Sequence, residues 1–199
     1  ANLTSFTHEP YTTAENDFQK MIIEVQDNWR WGLSTNMELD DFCRVIKEAV
    51  KAGYPVLWAS DVSEAGFTRQ GVATYDDEKV AESTVSSDQV RLIGVDAPKA
   101  EAQDSEKEVT PKAQKIVTAT ERQAMYDGKK TTDDHGMLIF GIANDQWGNE
   151  YFMVKNSWGN YGKYHGMFYA SKAYVAYKTM NILINKKAIP ADIAKKLGL

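Results

Sequence analysis

The stretch from His135 to Asn156 constrains the fold most. His135 opens the apolar run Gly136-Met-Leu-Ile-Phe-Gly-Ile-Ala143, and Asn144-Asp-Gln-Trp-Gly-Asn149 is rich in turn formers. Glu150-Tyr-Phe-Met-Val-Lys155 then runs back, and Asn156-Ser-Trp-Gly159 follows. Two β-rich runs around an Asn/Asp/Gly turn read as an antiparallel hairpin. Paired positions in such a hairpin have a constant index sum, so a turn centred near 146 puts position 135 roughly opposite 156. His135 and Asn156 become cross-strand neighbours with side chains in reach. An Asn amide placed there can hold one imidazole nitrogen and leave the other free to handle a nucleophile's proton. On spacing alone, a plain hairpin terminus accounts for such a pair more readily than catalysis does.

The remaining pattern is mixed. Leu39, Phe42, Cys43, Ile46, Ala49 and Val50 fall at helical three- and four-residue steps, with Gly53 where a helix C-terminal Gly belongs. Pro55–Ala59 reads as a short strand, and Ile22, Ile23 and Val25 as another, before a turn at Asp27-Asn28-Trp29 and Gly32. Thr118-Ala-Thr-Glu121 fits a capping box that opens a helix ending near Gly128. After His135–Ala143 and Glu150–Lys155, strands are expected at Gly166–Ala170 and Tyr177–Ile184. Pro190 as a first-turn residue and Gly198 past the end bracket a short terminal helix. Residues 76–112 mix Asp, Glu, Lys, Ser and Ala, and read as a polar insertion. The expected class is α+β: a half-barrel of antiparallel strands with two or three helices.

At 199 residues and a formal net charge of −5, the chain is long enough to bury a real core and poorly suited to phosphate backbones. No run approaches the ~18 apolar residues that a membrane span needs. Neither nucleic acid nor membrane is expected as a partner. A cytoplasmic location is favoured, with export left open because the chain does not begin with Met.

The one cysteine, Cys43, rules out an intrachain disulfide. It lies on the apolar face of the 39–50 helix, which suits a buried core thiol better than a nucleophile. His8 and His165 are read as structural and as a loop residue. None of the three histidines has a zinc-site spacing, so no metal is expected, and the dense aromatics of the last third read as core filling rather than a cofactor box, so no organic cofactor is expected.

Asp134-His135-Gly-Met, a strand, then Val154-Lys-Asn-Ser-Trp-Gly159 and Gly166-Met-Phe-Tyr169 resemble the second half of papain-like cysteine peptidases. Ser5-Phe-Thr-His8, Asp27-Asn-Trp29, Asp61-Val-Ser63 with Gly66-Phe67, Arg122-Gln123 and Thr131-Thr-Asp-Asp-His135 look like the bleomycin hydrolase / aminopeptidase C branch. The resemblance touches most of the chain and is weakest over 76–112. It implies that His135 is the general base of a Cys–His–Asn triad, that Asn156 orients it, and that Trp158 shields their hydrogen bond from water. It implies a thiol peptidase, most simply one removing N-terminal residues from a peptide substrate.

One departure is large. The family's nucleophile stands in a Gln-then-Cys-Gly-Ser-Cys-Trp context on a helical lobe, and no such string occurs here. Residues 1–199 are therefore expected to be the barrel lobe and C-terminus of such a peptidase, with the Cys-bearing N-terminal lobe absent and the chain alone inactive. The tail, Asn185–Leu199, also differs from the arm that restrains substrate in this branch. An amphipathic last helix carrying Ile193 and Leu197 is expected to pack on the body instead. The alternatives are a non-catalytic binding or inhibitory module on the same scaffold, and a thiol transferase. The surface around His135, Asn156 and Trp158 is expected to expose a large apolar patch, making the chain a homo-oligomer, unless the insertion folds over it.

Overall fold

The computed structural model describes residues 2–8, 15–24, 28–63, 66–68, 70–75, 114–133 and 135–199. The insertion expected at 76–112 lies outside the described residues, as do Val25, Asp27 and Asp134. The described elements are nine strands, four α-helices and one 3-10 turn.

The strands are β1 (Leu3–Thr7), β2 (Lys20–Ile22), β3 (Leu33–Asn36), β4 (Val56–Ser60) and β5 (Val72–Ala73), followed by β6 (His135–Asn144), β7 (Glu150–Lys155), β8 (Met167–Ser171) and β9 (Thr179–Asn185). The helices are α1 (Leu39–Lys51), α2 (Ala119–Asp127), α3 (Lys172–Lys178) and α4 (Ala191–Lys196), with the 3-10 turn at Lys186–Ala188. All nine strands join one sheet in the order β2-β3-β1-β9-β4-β6-β7-β8-β5. The class is α+β, as expected. The sheet is not wholly antiparallel, because β1 pairs with β3 and β5 with β8 in parallel.

α1 forms where the apolar spacing placed it. Leu39, Phe42, Val45, Ile46 and Ala49 are buried, and Gly53 has the left-handed φ of 82° that ends the helix. The strand beyond it inserts Trp58, fully buried, with Nε1 donating to Thr179 Oγ1 at 2.7 Å and the ring edge-on to Tyr174. α2 opens on the expected capping box: Glu121 N–H donates to Thr118 Oγ1, and Thr118 N–H to the Glu121 carboxylate. In α4, Ile193 is fully buried and Leu197 packs on the core, while Pro190 occupies the N-cap position just before the first turn.

Three expectations need correction. The strand expected at Tyr177–Ile184 begins only at Thr179, because Tyr177 and Lys178 end α3. Ser171 Oγ caps that helix by accepting from Tyr174 N–H at 3.0 Å, which turns β8 directly into it. Next, the described residues up to Asn36 hold three strands rather than one. β1 is polar in sequence, yet all five of its residues pair with β9, and Phe6 is fully buried. Finally, there are four helices among the described residues, where two or three were expected. None of them is long and apolar enough to cross a membrane.

Candidate active site

The β6–β7 hairpin positions the candidate residues, with a register that differs slightly from the simple turn centre. Leu138 pairs with Lys155 and Ile139 with Val154, and an irregularity follows before Gly141 pairs with Met153. Continuing the Leu138–Lys155 register would set Asn156 opposite Met137. His135 is therefore the diagonal neighbour of Asn156 on the same face, not its direct opposite. Diagonal pairs remain within reach of long side chains.

The contact is close: His135 Nε2 lies 2.7 Å from Asn156 Oδ1. Ser157 N–H also donates to Asn156 Oδ1 at 2.7 Å. That second bond fixes which amide atom is the oxygen, since an NH₂ group cannot accept. Oδ1 only accepts, so His135 Nε2 carries the proton that it donates. In the neutral ring, Nδ1 is then the nitrogen with the free lone pair. Asn156 is buried, and its Nδ2 has no hydrogen-bond partner among the described residues.

The loop after Asn156 lays an indole beside this pair. The Trp158 and His135 ring centroids are 4.9 Å apart, tilted by 36°. Trp158 is held edge-on by Phe67 and Tyr161, while 39% of it stays exposed. Gly166 closes the loop: Asn156 N–H donates to Gly166 O at 2.9 Å, and Gly166 N–H to Tyr161 O at 2.7 Å. Gly166 has φ 82°, and a Cβ there would stand 2.1 Å from Gly159 O, so only glycine fits.

On the other side, β4 pairs Ser60 with His135. Asp61 follows and is buried with Lys178; the two side chains are 3.8 Å apart. The resemblance marked the Asp61 segment as a motif, but nothing in the sequence assigned it a partner.

Cys43 stands apart from the pair. It packs half-buried on the core from α1 and lines a cavity of about 390 Å³ between α1, residues 114–117 and α3, whose lining does not include His135 or Asn156. Burial pushes its thiol up to about 11, against the opposing pull of Arg122 and Lys172. His8 is buried with Nδ1 2.8 Å from Met37 O; burial, aided by the Arg122 charge, lowers it to about 4. It is a neutral structural histidine at physiological pH. His165 adopts φ 53° in the loop before Gly166. Among the described residues, no group of three or more His, Cys, Asp and Glu side chains could hold a metal ion.

The model of a family described as the peptidase C1-like family matches residues 2–198. Among solved structures, pepw of Lactobacillus rhamnosis HN001 superimposes with a TM-score of 0.61 at 21% identity, over 98% of this chain and 38% of that one. The chain thus spans little more than a third of that protein's length. The bromelain protease of Ananas comosus aligns over 72% of this chain and 45% of its own, at 14% identity and a TM-score of 0.37. No curated protein matches the sequence.

Proposed function

The chain belongs to the peptidase C1-like family, and from that premise we propose that it supplies the His135–Asn156 half of a cysteine-type peptidase site. The nucleophilic thiol comes from a Cys-bearing lobe outside residues 1–199. The observation that carries this reading is the 2.7 Å bond from His135 Nε2–H to Asn156 Oδ1, which leaves Nδ1 free beside Trp158.

In this mechanism Nδ1 takes the proton of the incoming thiol, giving a thiolate paired with the His135 imidazolium. The thiolate sulfur bonds to the peptide carbonyl carbon. As the C–N bond breaks, the imidazolium returns its proton to the leaving amine. His135 then accepts a proton from water, whose oxygen attacks the thioester and releases the acid and the thiol. Asn156 keeps the ring in one orientation throughout, and Trp158 limits water at the Nε2 bond. Removal of N-terminal residues is the favoured specificity, by similarity of Ser5–His8, Asp61–Ser63 and Thr131–His135 to the aminopeptidase branch. The peptide substrate and the Cys-bearing lobe are the partners, and the surface around Trp158, 39% exposed, is where the lobe would dock.

Two features support assigning the thiol elsewhere. Cys43 has a thiol held protonated by burial, and it lines a cavity without His135. The test is turnover of an aminoacyl-coumarin by the chain alone and by a longer product joining it to the Cys-bearing lobe. No turnover by the first and iodoacetamide-sensitive turnover by the second is expected. Turnover by the chain alone that alkylation of Cys43 abolishes would overturn the reading. A folded longer product without activity would favour a binding module instead.

A further inference from the structure

We propose that Asp61 and Lys178 are positioning residues that hold the turn delivering His135 to Asn156, an inference that rests on His135 acting as the base. Both side chains are essentially fully buried, and they come from distant parts of the chain. Asp61 follows β4 immediately after Ser60, the residue registered with His135. Lys178 ends α3.

Their polar atoms converge on three consecutive residues just before His135. Asp61 Oδ2 accepts the Thr132 N–H at 3.0 Å. Lys178 Nζ donates to Lys130 O and to Thr131 Oγ1, each at 3.2 Å. The pair is itself braced. Asp61 Oδ1 accepts from Ser63 N–H at 2.9 Å and from Ser63 Oγ at 2.6 Å. Asp61 N–H donates to Lys178 O at 3.1 Å, and the Tyr174 hydroxyl donates to Asp61 O at 2.7 Å.

Burying two opposite charges is a poor route to stability, since apolar residues of similar volume often serve as well or better. What the charges offer here is direction. A carbonyl, a hydroxyl and an N–H of the 130–132 turn are each fixed by a separate bond. His135 is the first residue of β6, so the exit of that turn sets where its ring starts. A ring displaced by about 1 Å would lose the alignment that proton transfer requires.

The test uses the isotopically labelled chain and reads the His135 Nε2–H signal by NMR. The double variant Asp61→Asn/Lys178→Met removes both charges while keeping size and net neutrality. With positioning, this variant stays folded with a Tm within a few degrees of the parent, while the Nε2 proton exchanges with water about tenfold faster. A folded double variant with the parent's exchange rate overturns the proposal. Should the double variant not fold, Thr131→Val serves: it removes one acceptor of Lys178 Nζ with almost no change of shape. A faster Nε2–H exchange in Thr131→Val supports the clamp, and an unchanged rate overturns it. Failure of the base reading looks different. Asn156→Ala would then leave the His135 signal where it was before either charge is touched.

Discussion

Two buried polar clusters flank the middle of the sheet, and they are finished differently. Around Arg122 the described polar groups are closed off. The guanidinium donates to the carbonyls of His8, Ala176, Tyr177 and Thr179, which knits α2, α3 and β9 together, and its Cζ lies 5.8 Å from the Phe42 ring centre. At the His135 end, one ring nitrogen is tied to Asn156 and the other has no bond among the described residues, while Asn156 Nδ2 is buried without a partner. Native interiors rarely leave such groups open. The closed cluster therefore reads as architecture, and the open one as a site built to receive something.

The sharpest way to break this contrast is to truncate one residue in each cluster. In a product carrying the Cys-bearing lobe, His135→Ala should lower kcat/KM by about 10²–10⁴-fold, the range of one general base. It should shift the Tm of this chain little, because the ring is only partly buried. Equal losses of activity and stability would erase the distinction.

Arg122→Met should do the reverse. It strips a donor from several buried carbonyls, so chemical denaturation should show a loss of about 3 kcal/mol or more. Arg122→Lys should recover only part of that, since an ammonium cannot span the same fork of acceptors. A near-neutral Arg122→Met would mean the cluster is not the structural lock described here.

His8 sharpens the closed side through pH. Its folded value of about 4 lies below its usual 6.5. As pH falls, the unfolded chain takes up the proton first, so this contribution is complete above pH 6.5 and is lost towards pH 4. The loss reaches about 3 kcal/mol. His8→Asn, which can still donate to Met37 O, should flatten that part of a stability-versus-pH curve. An unchanged slope would show that other groups set it.

The smallest effect concerns Cys43. With its thiol pushed up to about 11, it should react with iodoacetamide at pH 8 about 100-fold more slowly than a free thiol. Ready alkylation of the folded chain would place Cys43 in a more open setting than the core of α1.

The open cluster was the more legible in the sequence. A hairpin with turn residues at its tip brings its two ends together whatever the exact register, and the Lys155-Asn-Ser-Trp-Gly159 string marks one of those ends. The bulge near Phe140, which moves Asn156 from opposite Leu138 to opposite Met137 and so onto the face of His135, leaves no comparable mark. The buttress behind the open site was far less legible. Asp61 and Lys178 are 117 positions apart, and they meet only because α3 runs directly into β9, which pairs with β4. α3 itself was hidden because Tyr177-Lys-Thr-Met-Asn-Ile-Leu-Ile184 alternates as a strand does, while the helix starts from a serine cap, Ser171, nearly two turns earlier. β1 was missed for the opposite reason. Its Thr and Ser residues carry little hydrophobic pattern, and pairing with β9 on one side and β3 on the other makes it a strand.

The central claim is that Asn156 fixes the His135 ring with Nε2 as donor and Nδ1 free. Nitrogen-15 shifts of the two His135 ring nitrogens, recorded where the ring is neutral, read this directly. The account predicts a protonated Nε2 and an unprotonated Nδ1, with Asn156→Ala releasing the ring to a mixture of tautomers. A protonated Nδ1, or a tautomer balance indifferent to Asn156→Ala, would contradict it.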